Sequence, residues 1–273
     1  MIDIQFTKMH GIGNDFILID CRDKEISRAG VVAKRLCDRR FGIGADQLLL
    51  LFDSNIADFR MGIYNADGGE VEMCGNGIRA FARYLVDHGL TEKTDLEIET
   101  LGGIIRPSIR GELVEVNMGE PVLEGRKIPV NLDGQIISHS LMIDDENFEI
   151  TCVSMGNPHC VIFVDNVDNF PLTHYGPLLE KHELFPNKIN VEFVQVINDR
   201  EIKMRVWERG SGETLACGTG ACAAAVASIL NEKTHKRVTV HLAGGDLDIL
   251  WGEDDLVYMT GPAEEVFQGT IDI

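Results

Sequence analysis

Apolar and polar residues alternate along DFRMGIY (58–64) and EIKMRVW (201–207). A period of two residues is typical of a strand with one buried face, so both segments are predicted to be β-strands. The apolar runs FILID (16–20) and CVIFVD (160–165) predict two further strands. Strand-like segments outnumber helical ones and are separated by turn signals, which favours an α+β fold over a regular alternation of strands and helices.

Two segments have apolar residues at helical spacing. IRAFARYLVDHG (78–89) predicts a helix that ends at Gly89, because glycine is favoured just beyond the last helical turn. ACAAAVASIL (221–230) is apolar on nearly all sides, so we expect that helix to be buried. Each helix follows a cysteine and a glycine-rich turn, in MCGNG (73–77) and ACGTG (216–220).

The chain repeats itself at an offset of 143 residues, which separates Cys74 from Cys217. In both places Gly-Glu precedes Cys-Gly-x-Gly, and the strand predicted before the first cysteine has a counterpart before the second. Other residues keep the same register: Asn14 with Asn157, and Gln47 with Asn190. Chance similarity in a glycine-rich chain does not account for so many matches in register. We therefore predict an internal duplication, each half having about six strands, the helix after the cysteine and a second helix near 28–40 or 171–183. The linker is expected near MGEPVLEG (118–125).

Composition narrows the class of protein. The chain has 273 residues, enough for two ordinary domains, and 44% of them are hydrophobic. Its net charge of −19 disfavours nucleic acid and anionic membrane surfaces as partners. We also recognise no signal peptide and no apolar run of the roughly 20 residues that cross a bilayer. Seven cysteines without framework spacing suit reduced thiols in the cytoplasm, and no metal-binding motif is present.

A cysteine at a helix N-terminus is a candidate acid or base. Free N–H groups and the helix dipole favour negative charge there, so we expect the pKa of Cys74 and Cys217 to fall towards neutrality. The adjacent glycines leave backbone N–H groups open to a carboxylate. Two such thiols on either side of one carbon could remove a proton from one face and deliver one to the other, which inverts the centre.

Other interpretations use the same residues. GNGIRA (75–80) and GTGACA (218–223) fit the dinucleotide fingerprint GxGxxA, which alone would indicate a nicotinamide or flavin oxidoreductase. Against it, no buried strand is predicted to run directly into either turn. A thiol redox sensor is a third possibility. The other five cysteines are interpreted as core residues, and acids outside the motifs as solvated side chains.

Four motifs resemble those of diaminopimelate epimerases, and the resemblance extends over essentially the whole chain: HGIGNDF (10–16), NADGGEVEMCGNGIRAFARY (65–84), GNPH (156–159) and ERGSGETLACGTG (208–220). It implies interconversion of LL- and meso-diaminopimelate without pyridoxal phosphate, other cofactor or metal, by a protein that is commonly a homodimer. It also implies two pseudo-symmetric domains, each a β-barrel-like sheet around a central helix. We place these domains at 1–118 and 119–262, with a C-terminal strand, 263–273, returning to the first.

The resemblance also assigns roles to individual residues. Cys74 and Cys217 match the acid/base pair, and His159 and Glu208 match positions that tune the thiols. Backbone groups that hold the reacting carboxylate match Gly75, Asn76, Gly218 and Thr219. The remaining substrate contacts match Asn14, Gln47, Asn65, Asn157, Asn190, Glu208 and Arg209. For Asn14 and Asn157, which follow glycines, a purely structural role in a turn is the alternative.

Diaminopimelate carries an amino-acid group at each end, so a second recognition site must lie away from the thiols. Arg209 and Glu208 could pair with the distal carboxylate and ammonium, and an arginine can bind a carboxylate with two parallel hydrogen bonds. Proline racemase-like proteins share the paired thiols but have less need of such a site. The adjacent Glu208 and Arg209 therefore favour the longer substrate.

Overall fold

A computed structural model describes residues 3–24 and 26–272 of the chain. The chain divides into two compact units. The first contains the residues up to Asn117 together with those from Gly261 onwards, and the second runs from Met118 to Thr260. Position 273 of the expected C-terminal strand lies outside the described residues.

The first unit is built on a seven-stranded sheet. Its strands and helices are β1 (Asp3–Gly11), β2 (Asn14–Asp20), α1 (Ala29–Leu36), β3 (Gln47–Phe52), β4 (Phe59–Asn65), α2 (Gly75–Asp87), β5 (Ile98–Thr100), β6 (Gly103–Ile105), β7 (Pro107–Arg110), β8 (Leu113–Asn117) and, at the end of the chain, β18 (Glu264–Asp272). The order in the sheet is β18-β1-β2-β3-β4-β5-β6, and β7 and β8 form an antiparallel hairpin. Helix α2 packs against β1, β2, β7, β8 and β18. Ten of its residues are buried, which agrees with its predicted apolar face.

The second unit repeats this arrangement. Its elements are a 3-10 helix (Gly125–Lys127), β9 (His139–Ile143), β10 (Glu146–Ser154), β11 (Pro158–Phe163), α3 (Leu172–Glu180), β12 (Asn190–Asn198), β13 (Glu201–Glu208), β14 (Gly212–Thr214), α4 (Gly218–Leu230), β15 (Arg237–Leu242), β16 (Gly245–Trp251) and β17 (Val257–Pro262), whose last two residues belong to the first unit. The strand order is β17-β16-β15-β13-β12-β11-β10-β9, with β14 beside β13. Helix α4 packs on β10, β11, β12, β13, β15 and β16 and is buried as predicted.

Strand registers support the duplication. Phe16 on β2 lies opposite Gln47 on β3 in a parallel pair, and at an offset of 143 His159 on β11 lies opposite Asn190 on β12, again in parallel. Helices α2 and α4 begin at the same offset, as do α1 and α3. The prediction of about six strands in each half is too low, because nine are described in each. Strands as short as β5 and β14, of three residues each, are too brief to produce a recognisable alternation.

The α+β architecture is confirmed, while the strand order of the described residues gives no closed barrel. Each unit has its own apolar cluster, one around Ile17, Leu48 and Leu50 and the other around Ile162, Val191 and Phe193. The five cysteines interpreted as core residues are all buried: Cys21, Cys37, Cys152, Cys160 and Cys222. In the part of the chain that is described, no helix is both long enough and apolar enough to cross a bilayer.

Candidate active site

Cys74 occupies the position just before helix α2. Its backbone is extended, with φ −141° and ψ 115°, and its Sγ accepts a hydrogen bond from the N–H of Gly77 at 3.4 Å. The side chain is partly exposed. The cysteine therefore takes the place of the serine or aspartate that commonly caps a helix, and its sulfur points at the free N–H groups of the first turn.

Asn14 is placed beside this thiol by a glycine turn. Gly13 has φ 87°, a conformation that glycine adopts without strain, and it closes the turn between β1 and β2. Asn14 Oδ1 then lies 3.8 Å from Cys74 Sγ and accepts a hydrogen bond from Asn76 Nδ2 at 3.2 Å. Asn14 Nδ2 donates to Asp46 at 2.8 Å, so both ends of its side chain are fixed.

Gln47 and Asn65 form a second polar pair in the first unit. They are cross-strand neighbours on β3 and β4, and Gln47 Nε2 donates to Asn65 Oδ1 at 2.8 Å. Gln47 Oε1 and Asn76 Oδ1 are buried and have no hydrogen-bond partner within the described residues. Buried acceptors without a partner are unfavourable, so these two oxygens are candidates to bind an ammonium group.

An ion network supports this side of the site. Asp15 accepts from Lys8 Nζ at 2.6 Å and from both terminal nitrogens of Arg39, at 2.9 and 2.7 Å. Arg39 also contacts Asp46, the partner of Asn14. Burial alone would raise the pKa of Asp15, but the hydrogen bonds and charges of Arg39 and Lys8 outweigh it and hold that pKa below its usual range.

We expect Asp15→Asn to destabilise the protein by about 1–2 kcal/mol at pH 7, since it removes two charge-assisted contacts, one of them to a well exposed arginine. A carboxyl whose pKa is lowered by folding contributes its full stabilisation above its unfolded pKa of about 3.9. This contribution declines as the pH falls below that value, and it is lost completely only below the lower pKa of the folded state. Urea unfolding between pH 7 and pH 3 should thus show a difference from the natural protein that shrinks below about pH 4. The exposed Asp23→Asn serves as the control, and a difference that is constant with pH would contradict the prediction.

Cys217 has the same position before α4. Its backbone is extended, with φ −126° and ψ 106°, and its Sγ accepts from the N–H of Gly220 at 3.3 Å and lies 3.6 Å from Thr219 Oγ1. It is more buried than Cys74, with 7% of its surface exposed. Both helices are therefore capped by a sulfur at matching positions. The first N–H groups of a helix have no partner within it, which makes those of Gly75, Asn76, Gly218 and Thr219 donors for an anion.

Asn157, His159 and Glu192 form a chain of contacts inside the second unit. Gly156, with φ 92°, has a left-handed backbone like Gly13 and lies in the turn between β10 and β11, where Asn157 directly precedes β11. His159 Nε2 lies 3.0 Å from Asn157 Oδ1, and His159 Nδ1 lies 2.7 Å from Glu192 Oε1. Both His159 and Glu192 are completely buried.

Glu192 is a residue that the sequence interpretation missed, because acids outside the motifs were expected to be solvated. The same expectation is wrong for Glu180, which is 4% exposed at the end of α3. A detectable signal existed for Glu192, since it lies in the apolar run NVEFVQV and its counterpart at the offset of 143 is Leu49.

Glu208 ends β13, and Arg209 begins the turn that follows it. Asn190 Oδ1 accepts from the N–H of Arg209 at 2.9 Å, while Asn190 Nδ2 donates to the carbonyl of Pro158 at 2.8 Å. Glu180 accepts from Trp207 Nε1 at 2.9 Å and from the N–H of Gly210 at 3.1 Å. Glu208 accepts from Thr214 Oγ1, and the exposed Arg209 side chain donates to the Asn187 carbonyl at 3.2 Å.

The electrostatics of Cys217 differ from the expectation of a lowered pKa. Burial raises the pKa of this thiol above its usual range, and the carboxylates of Glu208 and Glu192 raise it further. Thr219 and the N–H of Gly220 act in the opposite direction without reversing the shift. The prediction is therefore wrong for Cys217: at the tip of α4, removal from water and two nearby acids outweigh the helix terminus.

The sequence pattern of the diaminopimelate epimerase family matches residues 6–124 and 151–266. A diaminopimelate epimerase of Acetivibrio thermocellus is 52% identical over 99% of this chain and 99% of its own. The chain belongs to the diaminopimelate epimerase family. Solved structures with the same fold include a Bacillus anthracis phenazine biosynthesis protein of the PhzF family, with a TM-score of 0.73, 18% identity and 100% of both chains covered. A hydroxyproline epimerase from Agrobacterium vitis has a TM-score of 0.69 and 13% identity, and the match covers 98% of this chain and 92% of that one.

Membership of the epimerase family agrees with the local structure around the GxGxxA segments. A dinucleotide fingerprint requires a strand that runs directly into the glycine turn. Here β4 ends at Asn65 and α2 begins only at Gly75, and the strand before α4 is the short β14. No group of three or more His, Cys, Asp or Glu side chains suited to a metal ion is found among the described residues.

A cleft of about 510 Å³ in the first unit is separate from the candidate site. It is lined by Thr7, Asp20, Lys24, Tyr84 and His88, among others. Tyr84 and His88 lie at the C-terminal end of α2, whereas Cys74 precedes its N-terminus. The length of the helix therefore lies between this cleft and the thiol.

Proposed function

We propose that the protein is an isomerase that interconverts LL- and meso-diaminopimelate at the α-carbon, without a cofactor, in the biosynthesis of lysine and peptidoglycan precursors. The observation that carries this proposal is the matched pair of cysteine caps, Cys74 and Cys217, at the same position of duplicated helices. The family membership supports the substrate class, since relatives named diaminopimelate epimerase are about half identical over nearly the full chain.

The proposed reaction is a proton exchange between two sulfurs and one carbon. One cysteine, as thiolate, accepts the α-proton, and the other, as thiol, donates its proton to the opposite face of the same carbon. After one turnover the thiol and the thiolate have changed places, and the stereocentre is inverted. A thiol and a thiolate are two protonation states of one side-chain type, so each cysteine can act as acid in one direction of the reaction and as base in the other.

Charge that develops on the substrate carboxylate needs donors that are already oriented. The N–H groups at the starts of α2 and α4 supply them, and we assign this role to Gly75, Asn76, Gly218 and Thr219. Binding of an anion at two helix N-termini lowers the energy of the carbanion-like state more than that of the neutral ground state, since the added electron density is shared with the carboxylate.

The remaining polar residues are proposed to recognise the substrate. Gln47 and Asn76 offer buried acceptors for ammonium groups, and Arg209 with Glu208 would bind the distal amino-acid group. Asn14, Asn65, Asn157 and Asn190 are also proposed to contact the substrate. Asn14 accepts from Asn76, Asn65 accepts from Gln47 and Asn190 accepts from the N–H of Arg209, whereas Asn157 contacts His159. His159 is proposed to act on the thiol of its own unit.

We also propose three properties that the resemblance implies. The two units are the duplicated domains, with boundaries near residues 118 and 262. The protein acts as a homodimer, and it acts in the cytoplasm. Light scattering after size-exclusion chromatography measures the second of these, and a monomer at micromolar concentration would contradict it.

The direct experiment incubates the purified protein with LL-diaminopimelate in D₂O. We expect formation of the meso isomer, measured by chiral chromatography, together with incorporation of deuterium at the α-carbon, measured by mass spectrometry. Proline and trans-4-hydroxyproline are the comparison substrates. We expect kcat/KM for them to be lower by about 10⁴, because they leave the polar groups of the distal site without partners. Preference for proline, or absence of α-proton exchange on every substrate, would contradict the proposal; the latter result is also what a redox sensor would give.

A further inference from the structure

The two halves differ in what lies behind their cysteines. At the offset of 143, His159 of the second unit corresponds to Phe16 of the first, and Glu192 corresponds to Leu49. All four side chains are completely buried. The duplicated scaffold thus has a hydrocarbon pair behind one thiol and an ionisable pair behind the other.

The first turns of the two helices show how close these residues come. At Gly220 the position of a Cβ atom would be 2.8 Å from Glu192 Oε1 and 3.1 Å from Cys217 Sγ. The separation of that oxygen from that sulfur therefore cannot exceed the sum of these two distances. At Gly77 the corresponding neighbours are Leu49 Cδ2, at 3.4 Å, and Cys74 Sγ, at 3.5 Å. A carboxyl group occupies, next to Cys217, the place that a methyl group occupies next to Cys74.

The carboxyl group is held in a defined state by its neighbours. His159 has an oxygen beside each ring nitrogen, Glu192 Oε1 at Nδ1 and Asn157 Oδ1 at Nε2. Nε2 must therefore carry a hydrogen, and one further proton lies between Nδ1 and Glu192. Burial raises the pKa of Glu192 above its usual range, and the charge and hydrogen bond of His159 reduce that shift without reversing it. Glu192 Oε2 is buried without a partner among the described residues, and His159 is the side chain that orients the carboxylate through Oε1.

We propose that Glu192, oriented by His159, is a positioning residue that keeps Cys217 protonated in the free protein and so makes the two thiols of the duplicated halves unequal. The negative end of the Glu192–His159 pair faces the sulfur, and an anionic sulfur at that site would be repelled. Among the described residues, the titratable groups facing Cys217 are Glu192 from β12 and Glu208 from β13, both acids. The consequence that Cys217 is the first proton donor rests on the proposed function, whereas its protonation does not.

The test measures the reactivity of each thiol as a function of pH, in the absence of substrate. The full-length protein is treated with iodoacetamide from pH 6 to pH 11, and the alkylation rate of each cysteine is read by peptide mass spectrometry. Glu192→Gln keeps the shape of the side chain and removes its charge. In this variant we expect the alkylation rate of Cys217 to rise about tenfold at a fixed pH below the midpoint of its pH profile. This rise corresponds to a shift of that midpoint by about one pH unit to lower pH, and the profile of Cys74 should not change. Glu149→Gln, an exposed change on β10 of the same unit, serves as the control.

A second variant tests the same proposal if Glu192→Gln folds poorly. The double change His159→Phe with Glu192→Leu copies the apolar pair of the first unit, removes both ionisable groups together and leaves neither without its partner. It should shift the Cys217 profile to lower pH in the same way as Glu192→Gln. An unchanged Cys217 profile in a folded variant, a shift to higher pH, or an equal shift at Cys74 would overturn the proposal. Because no substrate is used, these outcomes are independent of the epimerase assay.

Discussion

Replacement of Cys74 by alanine, and separately of Cys217, is expected to lower kcat for epimerisation of diaminopimelate by about 10³-fold or more. General acid or base catalysis by a positioned side chain contributes about 10²–10⁴. In the two-base scheme either loss stops the inversion, because one face of the carbon is left without a donor or an acceptor. Matched behaviour of the two variants in both reaction directions is therefore the central expectation.

The controls for this experiment are cysteines that the structure places in the core. Cys37→Ala serves for the first unit and Cys222→Ala for the second, since both side chains are buried and neither caps a helix N-terminus. We expect both controls to stay within a few-fold of the natural rate. Full activity of either Cys74→Ala or Cys217→Ala, measured by coupled assay and by deuterium incorporation, would refute the two-base scheme.

The second large effect is expected at Gly220, in contrast to Gly77. An alanine methyl at Gly220 would lie 2.8 Å from Glu192 Oε1 and 3.1 Å from Cys217 Sγ, closer than side chains normally approach. Both neighbours are part of the proposed site, so relief of the clash must displace the sulfur or the carboxylate. A misplacement of about 1 Å can cost 10²-fold in rate, and we expect a loss of that order for Gly220→Ala.

Gly77→Ala is the matched variant in the first unit. Its methyl group would meet Leu49 and Cys74 at 3.4–3.5 Å, which is ordinary van der Waals contact. Since alanine is favoured over glycine in a helix by roughly 0.5–1 kcal/mol, this variant should be as stable as the natural protein or more so, with kcat/KM within a few-fold. Steady-state kinetics and urea unfolding of both variants measure the contrast. Equal effects of the two substitutions would show that the close contact at Gly220 has no functional weight.

Local sequence signals predicted the duplicated elements and the cysteine caps well. Amphipathic spacing, a terminal glycine and a cysteine followed by Gly-x-Gly are properties of short segments, and the helices after Cys74 and Cys217 form as those signals indicate. The family resemblance supplied the remaining residues of the candidate site. The structure adds how they are held, for example Asn14 between Asp46 and Asn76.

What the sequence did not predict depends on three-dimensional surroundings. Residues 190–194 of β12 are all buried, so an alternating period could not identify Glu192 as buried, and only the apolar run around it and its counterpart Leu49 indicated this. The pKa of Cys217 is a similar case. Its position at a helix tip was apparent from the chain, whereas its burial and the approach of Glu208 and Glu192 arise only when β12 and β13 pack beside α4.

The turn that carries Arg209 is held by neighbouring side chains in the ligand-free protein. Asn190 accepts from the N–H of Arg209, and Glu180 accepts from Trp207 Nε1 and from the N–H of Gly210. Three of the four residues 207–210 are therefore tied to neighbouring elements before any ligand binds. Ordering a flexible backbone costs about 1–2 kcal/mol of conformational entropy for each residue. Because this segment is already ordered in the folded protein, ligand binding does not lose that entropy again. Its contacts with a ligand therefore contribute more of their free energy to affinity than the contacts of a flexible loop would.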